Sequence, residues 1–216
     1  MTPEPPTPRP AAPVPAGVLL LAGPRGEVGA WVRKGVVPAV VVPQGGWTVV
    51  VTAGGTEVGP PYDDAGLLLA GRPVPEKLAP ALGFFELGER AVVTVHVPGR
   101  RRGPDWVVWE PEVGLLRPPG LPLAGPAEIT RVAGAPAEVR DELVDLLHET
   151  RSRPRLMLQA VMATLGLPGA PLVADPASAD GLPGAVRHDP SAREVALFDD
   201  AVADSVRLRR ELGALP

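Results

Sequence analysis

A chain of 216 residues can bury one large core or two smaller ones, and its 45% of apolar residues fits an ordinary folded protein. The formal net charge of −4 argues against a general affinity for nucleic acid or for anionic membranes. The absence of cysteine excludes disulfides, thiolate metal ligands and thiol nucleophiles, and it suits a reducing cytosol.

The first 16 residues are rich in proline and contain few side chains that could pack, which predicts a disordered tail at 1–16. No window approaches the ~20 apolar residues of a membrane span, and the start lacks the basic and apolar regions of a secretory signal. We therefore expect a cytoplasmic protein without a membrane partner. All basic residues except Lys34 and Lys77 are arginine, which is typical of a bacterial high-GC composition.

An apolar run at 17–22 predicts the first buried strand, and three glycines follow it at three-residue spacing. The strand with Gly23, Gly26 and Gly29 resembles the nucleotide-binding turn of the extended short-chain dehydrogenases. In that family the glycines let the backbone approach a pyrophosphate at a helix N-terminus. The resemblance implies a nucleotide-binding enzyme as one alternative. The chain departs from the family pattern because Tyr62 is its only tyrosine, so a Tyr-x-x-x-Lys pair is missing.

Two alternating apolar segments at 36–43 and 47–53 flank a pair of glycines, which predicts a β-hairpin. Pro38 and Pro43 cannot donate hydrogen bonds to a strand ladder. The first arm of the hairpin is therefore predicted to be an edge strand.

Two short helices are predicted after this hairpin. Asp63 or Asp64 is expected to cap the first helix, which runs to Ala70, by accepting hydrogen bonds from free backbone N–H groups. Pro75 occupies a first-turn position, which predicts a second helix over residues 76–82.

The stretch 91–117 alternates with a period of two and predicts three antiparallel strands joined by two turns. The middle strand, 105–110, is apolar on both faces, so it is predicted to lie inside the sheet. Three consecutive arginines occupy the loop before it. The candidate contact residues of this region are Arg100, Arg101, Arg102, Trp106 and Trp109.

Arginine and tryptophan are the residue types enriched at the energetic centres of protein interfaces, which favours a protein partner for this loop. A β-ribbon with arginines at its tip can also enter a nucleic-acid groove, and a nucleic-acid binder using Arg100–Arg102 is the second alternative. The negative net charge makes nucleic acid the less favoured partner.

Proline and glycine dominate residues 118–126, which predicts a linker between a β-rich region at 17–117 and a helical region at 127–216. The helical region is predicted to begin with a helical hairpin. A long loop at 166–190 follows it, and a helix capped by Ser191 and extending to about position 212 ends the chain.

The sequence predicts no catalytic or metal site. His96, His148 and His188 lie in different predicted elements, and their spacing does not match a metal-binding motif. The four serines do not occur in a GxSxG motif, and adjacent carboxylates such as Asp199 and Asp200 point apart on a helix. Accordingly, no cofactor is predicted.

Taken together, the patterns predict an α+β fold with an antiparallel N-terminal sheet, short helices, and a helical C-terminal part. The predicted function is a non-catalytic cytosolic adaptor or regulatory protein that acts through protein–protein interaction. The identity of the partner and the oligomeric state are not predicted by any motif.

Overall fold

The computed structural model describes residues 17–99 and 103–213, with side chains up to Glu211. The predicted tail at 1–16 lies outside the described residues. The candidate contact residues Arg100, Arg101 and Arg102 also lie outside them.

A single antiparallel sheet of eight strands organises the molecule, and it confirms the predicted α+β class. The order across the sheet is β7-β6-β5-β4-β1-β3-β2-β8, so the first strand of the chain lies near its centre. The strands are β1 (Gly17–Leu21), β2 (Ala39–Gln44), β3 (Trp47–Thr52), β4 (Ala81–Leu87), β5 (Arg90–His96), β6 (Asp105–Glu110), β7 (Gly114–Leu116) and β8 (Val186–His188).

Helices cover both faces of this sheet, because its central strands alternate apolar side chains to both sides. Helices α3 to α6 cover one face, and α1 and α2 cover the other. The helices are α1 (Arg25–Arg33), α2 (Ala65–Gly71), α3 (Pro126–Ala133), α4 (Val139–His148), α5 (Pro154–Thr164), α6 (Ala170–Ala174) and α7 (Ala192–Gly213).

The first face carries the larger core. Phe84 of β4 and Trp109 of β6 pack there with Leu143 of α4 and Leu158 of α5, and all four side chains are buried. The helical residues after 126 therefore share one core with the sheet. Helices α4 and α5 pack against each other as the predicted helical hairpin.

The second face holds a core around Phe85, Trp31 of α1 and Leu69 of α2. Glycine is required beside the Phe85 ring, because a Cβ atom at Gly17 or Gly83 would collide with it. The alternation predicted for 91–117 is confirmed, since this stretch forms β5, β6 and β7 with β6 between the other two.

The prediction that β2 is an edge strand is wrong. Residues Ala39, Val40 and Val41 pair with β8 on the side away from β3. Pro43 lies beyond this short ladder, so its missing N–H does not interrupt it. The prediction failed because β8 arrives from 145 or more residues further along the chain, where no local pattern marks it as a strand.

The helix predicted at 76–82 is also wrong. A single 3-10 turn at Glu76–Leu78 is followed directly by β4, which begins at Ala81. Pro80 explains the early end, because a proline disfavours helical backbone at the residue before it.

The predicted long loop at 166–190 contains three short elements. Helix α6 comes first, a 3-10 segment at Pro176–Gly181 follows, and β8 then joins the sheet. Leu172 and Val173 of α6 are buried in the core of the first face, so this segment is held by packing.

Helix α7 begins as predicted, with the Ser191 hydroxyl oxygen 3.2 Å from the Glu194 amide nitrogen that donates to it. Its first turns pack through Val195 and Phe198 against a small cluster around Val36 and Val37. Phe198 meets Tyr62 edge-on, with the ring centroids 5.4 Å apart. Among the described residues, no helix is long and apolar enough to cross a membrane.

We expect Asp64→Ala to lower the free energy of unfolding by about 1 kcal/mol. The Asp64 carboxylate accepts a hydrogen bond of 2.9 Å from the Leu67 amide and caps α2. Urea unfolding at neutral pH measures the change, and Asp63→Ala is the matched control because Asp64 is the N-cap residue. Equal losses in the two variants would contradict the capping role.

Candidate functional site

A cleft lies between the first turns of α7, helix α2 and the segment 34–37 that follows α1. Its volume is about 500 Å3, which falls in the range of ~300–1,000 Å3 typical of small-molecule sites. The walls are mainly apolar and come from the side chains of Val36, Val37, Leu67, Leu68, Leu197 and Phe198. We call this cavity the Arg72 cleft; Lys34 and Glu194 are the other two charged residues that line it.

Arg72 follows α2 and reaches across to the end of α1. Its guanidinium donates to the backbone carbonyl of Trp31, with a longer contact of 3.4 Å to the carbonyl of Val32. The guanidinium carbon also lies 4.0 Å from the centroid of the Trp31 ring. A cation at this position stabilises α1, because the C-terminal end of a helix carries partial negative charge.

Burial lowers the pKa of Arg72 to about 10, and the nearby carboxylate of Glu194 acts in the opposite direction. The guanidinium stays protonated at neutral pH. Gly35 faces the guanidinium so closely that a Cβ atom there would meet it, and the Arg72 side chain would have to shift. The chain thus holds a positively charged group in a fixed place at one wall of a mostly apolar cavity.

Of the three glycines of the predicted nucleotide-binding turn, Gly23 lies between β1 and α1, whereas Gly26 and Gly29 lie within α1. A helix of nine residues follows the strand here. Gly23 lies against Leu78, and Gly29 lies against the ring of His188. Around Gly26 a Cβ atom would meet open space. These two packing contacts account for glycine at two of the three positions.

A second, more open cavity of about 370 Å3 lies beside this turn, between residues 22–25 and 43–48. The first turn of α1 carries Glu27, whose carboxylate lies 2.6 Å from the ammonium of Lys77. A carboxylate at this position weakens the attraction of the helix N-terminus for a phosphate. Nucleotide binding at Gly23, Gly26 and Gly29 stays a prediction.

The two tryptophans among the candidate contact residues, Trp106 and Trp109, lie on opposite faces of β6. Trp109 is 1% exposed, and its indole N–H donates to the Glu149 carbonyl oxygen at 2.9 Å. Trp106 is half-buried, and its backbone N–H donates to Pro122 within the predicted linker. Trp109 therefore belongs to the core, and Trp106 is the tryptophan of this pair that can contact a partner.

His96 lies at the end of β5, beside a narrow void of about 10 Å3 that Asp105 and Glu76 also line. The ring is buried, and its Nε2 atom lacks a hydrogen-bond partner among the described residues. Burial lowers the pKa of His96 to about 4, and Asp105 partly opposes this shift. The void is too small for a substrate, so this histidine has no room to act on one.

Within residues 17–99 and 103–213, no group of three or more histidine and carboxylate side chains is placed to hold a metal ion. The other two histidines lie apart from His96. His148 donates from its Nδ1 atom to the Val144 carbonyl oxygen of its own helix at 2.7 Å, and His188 contacts Arg33 at 3.2 Å.

Arg72 and Leu197 were not among the predicted site residues. Arg72 stands alone between a glycine and a proline, and no sequence pattern distinguishes it from other surface arginines. A signal for Leu197 did exist. Val195, Phe198, Val202 and Val206 form an apolar stripe along α7, and both Leu197 and Leu208 lie outside this stripe. These two exposed leucines make the apolar surface of the helix wider than one contact would bury.

Comparison with protein-family models, with curated proteins and with solved structures found no match to this chain.

Proposed function

We propose that this chain is a non-catalytic, cytosolic adaptor or regulatory protein that binds another protein through helix α7. The observation that carries the proposal is the exposed apolar surface of the distal half of this helix. Val206 is 41% exposed and Leu208 is 56% exposed. Together with Ala201 and Val202, these two residues form what we call the distal sector of α7.

The distal sector spans two adjacent rows of a helix. Val202 and Val206 are four residues apart, and Ala201 and Leu208 are seven apart, so each pair lies along one side. A helix-in-groove contact uses this spacing of apolar anchors. Only the first turns of α7 are held by the cluster that includes Val195 and Phe198, so the distal sector remains accessible to a partner.

The charges of α7 define the kind of partner that fits. Asp199, Asp200 and Asp204 lie toward the N-terminal end of the sector, whereas Arg207, Arg209 and Arg210 lie at its C-terminal end. A partner helix that runs antiparallel, with acidic residues first and basic residues last, would meet opposite charges at both ends. The occupant we propose is such an amphipathic helix of another protein.

The arginine-tipped ribbon supplies a second contact in this proposal. Arg100, Arg101 and Arg102 follow β5, and Trp106 of β6 lies half-buried beside them in the chain. Arginine and tryptophan support a protein contact because both are enriched at interface hot spots. The double variant Arg101→Glu with Arg102→Glu tests this second contact separately from α7, by its effect on recovery of the partner.

We expect Leu208→Asp to reduce recovery of the partner at least tenfold when the full chain is used as bait in its native cell. An aspartate buried in an apolar contact without a counter-charge costs more than the about 1.4 kcal/mol that corresponds to a tenfold change. Quantitative mass spectrometry of the recovered proteins gives the measurement. Circular dichroism at equal concentrations checks that the helix remains formed.

The matched control is Val113→Asp, which places the same charge at a position 60% exposed in the turn before β7. We expect this variant to recover the partner at the wild-type level. Unchanged recovery with Leu208→Asp would overturn the proposal for α7. Sedimentation that shows a dimer of this chain, dissociated by Leu208→Asp, would assign the sector to self-association instead.

A further inference from the structure

We propose that the Arg72 cleft binds a small monocarboxylate with an unbranched apolar tail, of the class of medium-chain fatty acids. The carboxylate would lie toward the guanidinium of Arg72 and the ammonium of Lys34. The tail would lie against Leu67, Leu197 and Phe198. This binding site goes beyond the protein–protein contact proposed above, and it uses different residues of α7.

The charge of the cleft favours an anion. Arg72 and Lys34 contribute two positive charges to its walls and Glu194 contributes one negative charge, so the cleft carries a net charge of +1. The rest of the chain is acidic, because the whole sequence has a net charge of −4. The described contacts of the Arg72 guanidinium are to backbone carbonyls and to an indole face, and none of these carries a formal charge.

A charged guanidinium that is buried without a contacting anion is costly, and burial has already lowered its pKa. A bound carboxylate would relieve this cost by forming charge-assisted hydrogen bonds, which are about twice as strong as neutral ones. A doubly charged phosphate fits less well, because Glu194 lines the same cavity. A single negative charge matches the cleft.

The apolar walls define the rest of the ligand. Leu67 is 50% exposed and Leu197 is 52% exposed, and both line the cleft. Exposed leucines on two elements that face one cavity offer an apolar surface to a ligand inside it. The contribution of each buried methylene corresponds to about a fourfold gain in affinity.

The experiment is calorimetric titration of the full chain at neutral pH, below the concentration at which the ligands form micelles. The probes are decanoate, octanoate and decanol. We expect decanoate to bind with a stoichiometry of one. Octanoate is expected to bind about sixteenfold more weakly, because it lacks two methylenes. Decanol is expected to bind at least tenfold more weakly, because it lacks the charge that Arg72 would contact.

Two variants on one helix form the matched pair. Leu197→Asp places a negative charge in the cleft and is expected to weaken decanoate at least tenfold. Leu208→Asp places the same charge outside the cleft, at nearly the same exposure, and is expected to bind decanoate like the wild type. Both positions are exposed in the folded chain, so neither variant removes packing from the core. Thermal unfolding of both variants checks this directly.

Equal affinity for decanol and decanoate would overturn the proposal, because the guanidinium would then have no role. Equal weakening by Leu208→Asp would also overturn it, since it would indicate adhesion to exposed apolar surface. If decanoate does not bind, a fatty acid is not the ligand of the cleft. Binding of a peptide through its C-terminal carboxylate would not change that conclusion. These outcomes are distinguishable from those of the partner-recovery experiment, because loss of decanoate binding is expected for Leu197→Asp and loss of partner recovery for Leu208→Asp.

Discussion

Trp109→Ala is expected to lower the free energy of unfolding by about 3–5 kcal/mol, the range typical of removing a large aromatic side chain from a core. The indole of Trp109 is 1% exposed in the core between the sheet and the helices. Its removal leaves a cavity and also leaves the Glu149 carbonyl without the hydrogen bond of 2.9 Å that it now accepts. Chemical unfolding followed by circular dichroism measures the loss.

Trp109→Phe separates the two contributions. Phenylalanine keeps most of the apolar volume but cannot donate to Glu149, so we expect a smaller loss of stability than with alanine. If Trp109 were a contact residue, as the sequence predicted, Trp109→Ala would leave stability unchanged and reduce only partner recovery. That result would contradict the core position assigned here.

The pH dependence of stability is expected to change strongly when His96 is replaced. The folded chain binds a proton at His96 only near pH 4, whereas the unfolded chain binds it near pH 6.5. Between these values the unfolded state holds more protons, so His96 makes the folded state less stable as the pH falls from 6.5 to 4. The contribution amounts to about 3 kcal/mol over this interval.

His96→Leu is expected to remove this component, because leucine does not titrate and has no polar atom to bury. The free energy of unfolding should then fall less between pH 6.5 and pH 4 than in the wild type. His148→Leu is the control for removing an imidazole from an exposed site at the end of α4. Parallel pH profiles for the wild type and His96→Leu would contradict the burial of His96.

Asp105 is the carboxylate that acts on the pKa of His96. Asp105 is buried beside His96, and it opposes the fall in the pKa of the histidine. The comparison of His96→Leu with the wild type isolates the histidine, because both proteins retain the carboxylate.

Local patterns were sufficient for several elements. The period of two between 91 and 117 predicts the three strands β5, β6 and β7, since a strand that is apolar on both faces must be covered on both. Ser191 caps α7 through an amide three residues further on, and the glycine pair after Gln44 forms the turn between two adjacent strands. Because these interactions are local in sequence, the start of α7 and the first hairpin could be predicted.

Long-range contacts decided the rest. Strand β1 lies between β3 and β4 in the sheet. Strand β8 pairs with β2 across more than 140 residues of sequence, and it has only three residues, which are too few to show an alternating pattern. The Arg72 cleft depends on three segments that are distant in sequence, at 34–37, 67–73 and 194–198. The pKa of the Arg72 guanidinium is lowered there because the group is buried and packs against Trp31. Burial is set by tertiary packing, so the local sequence does not reveal it.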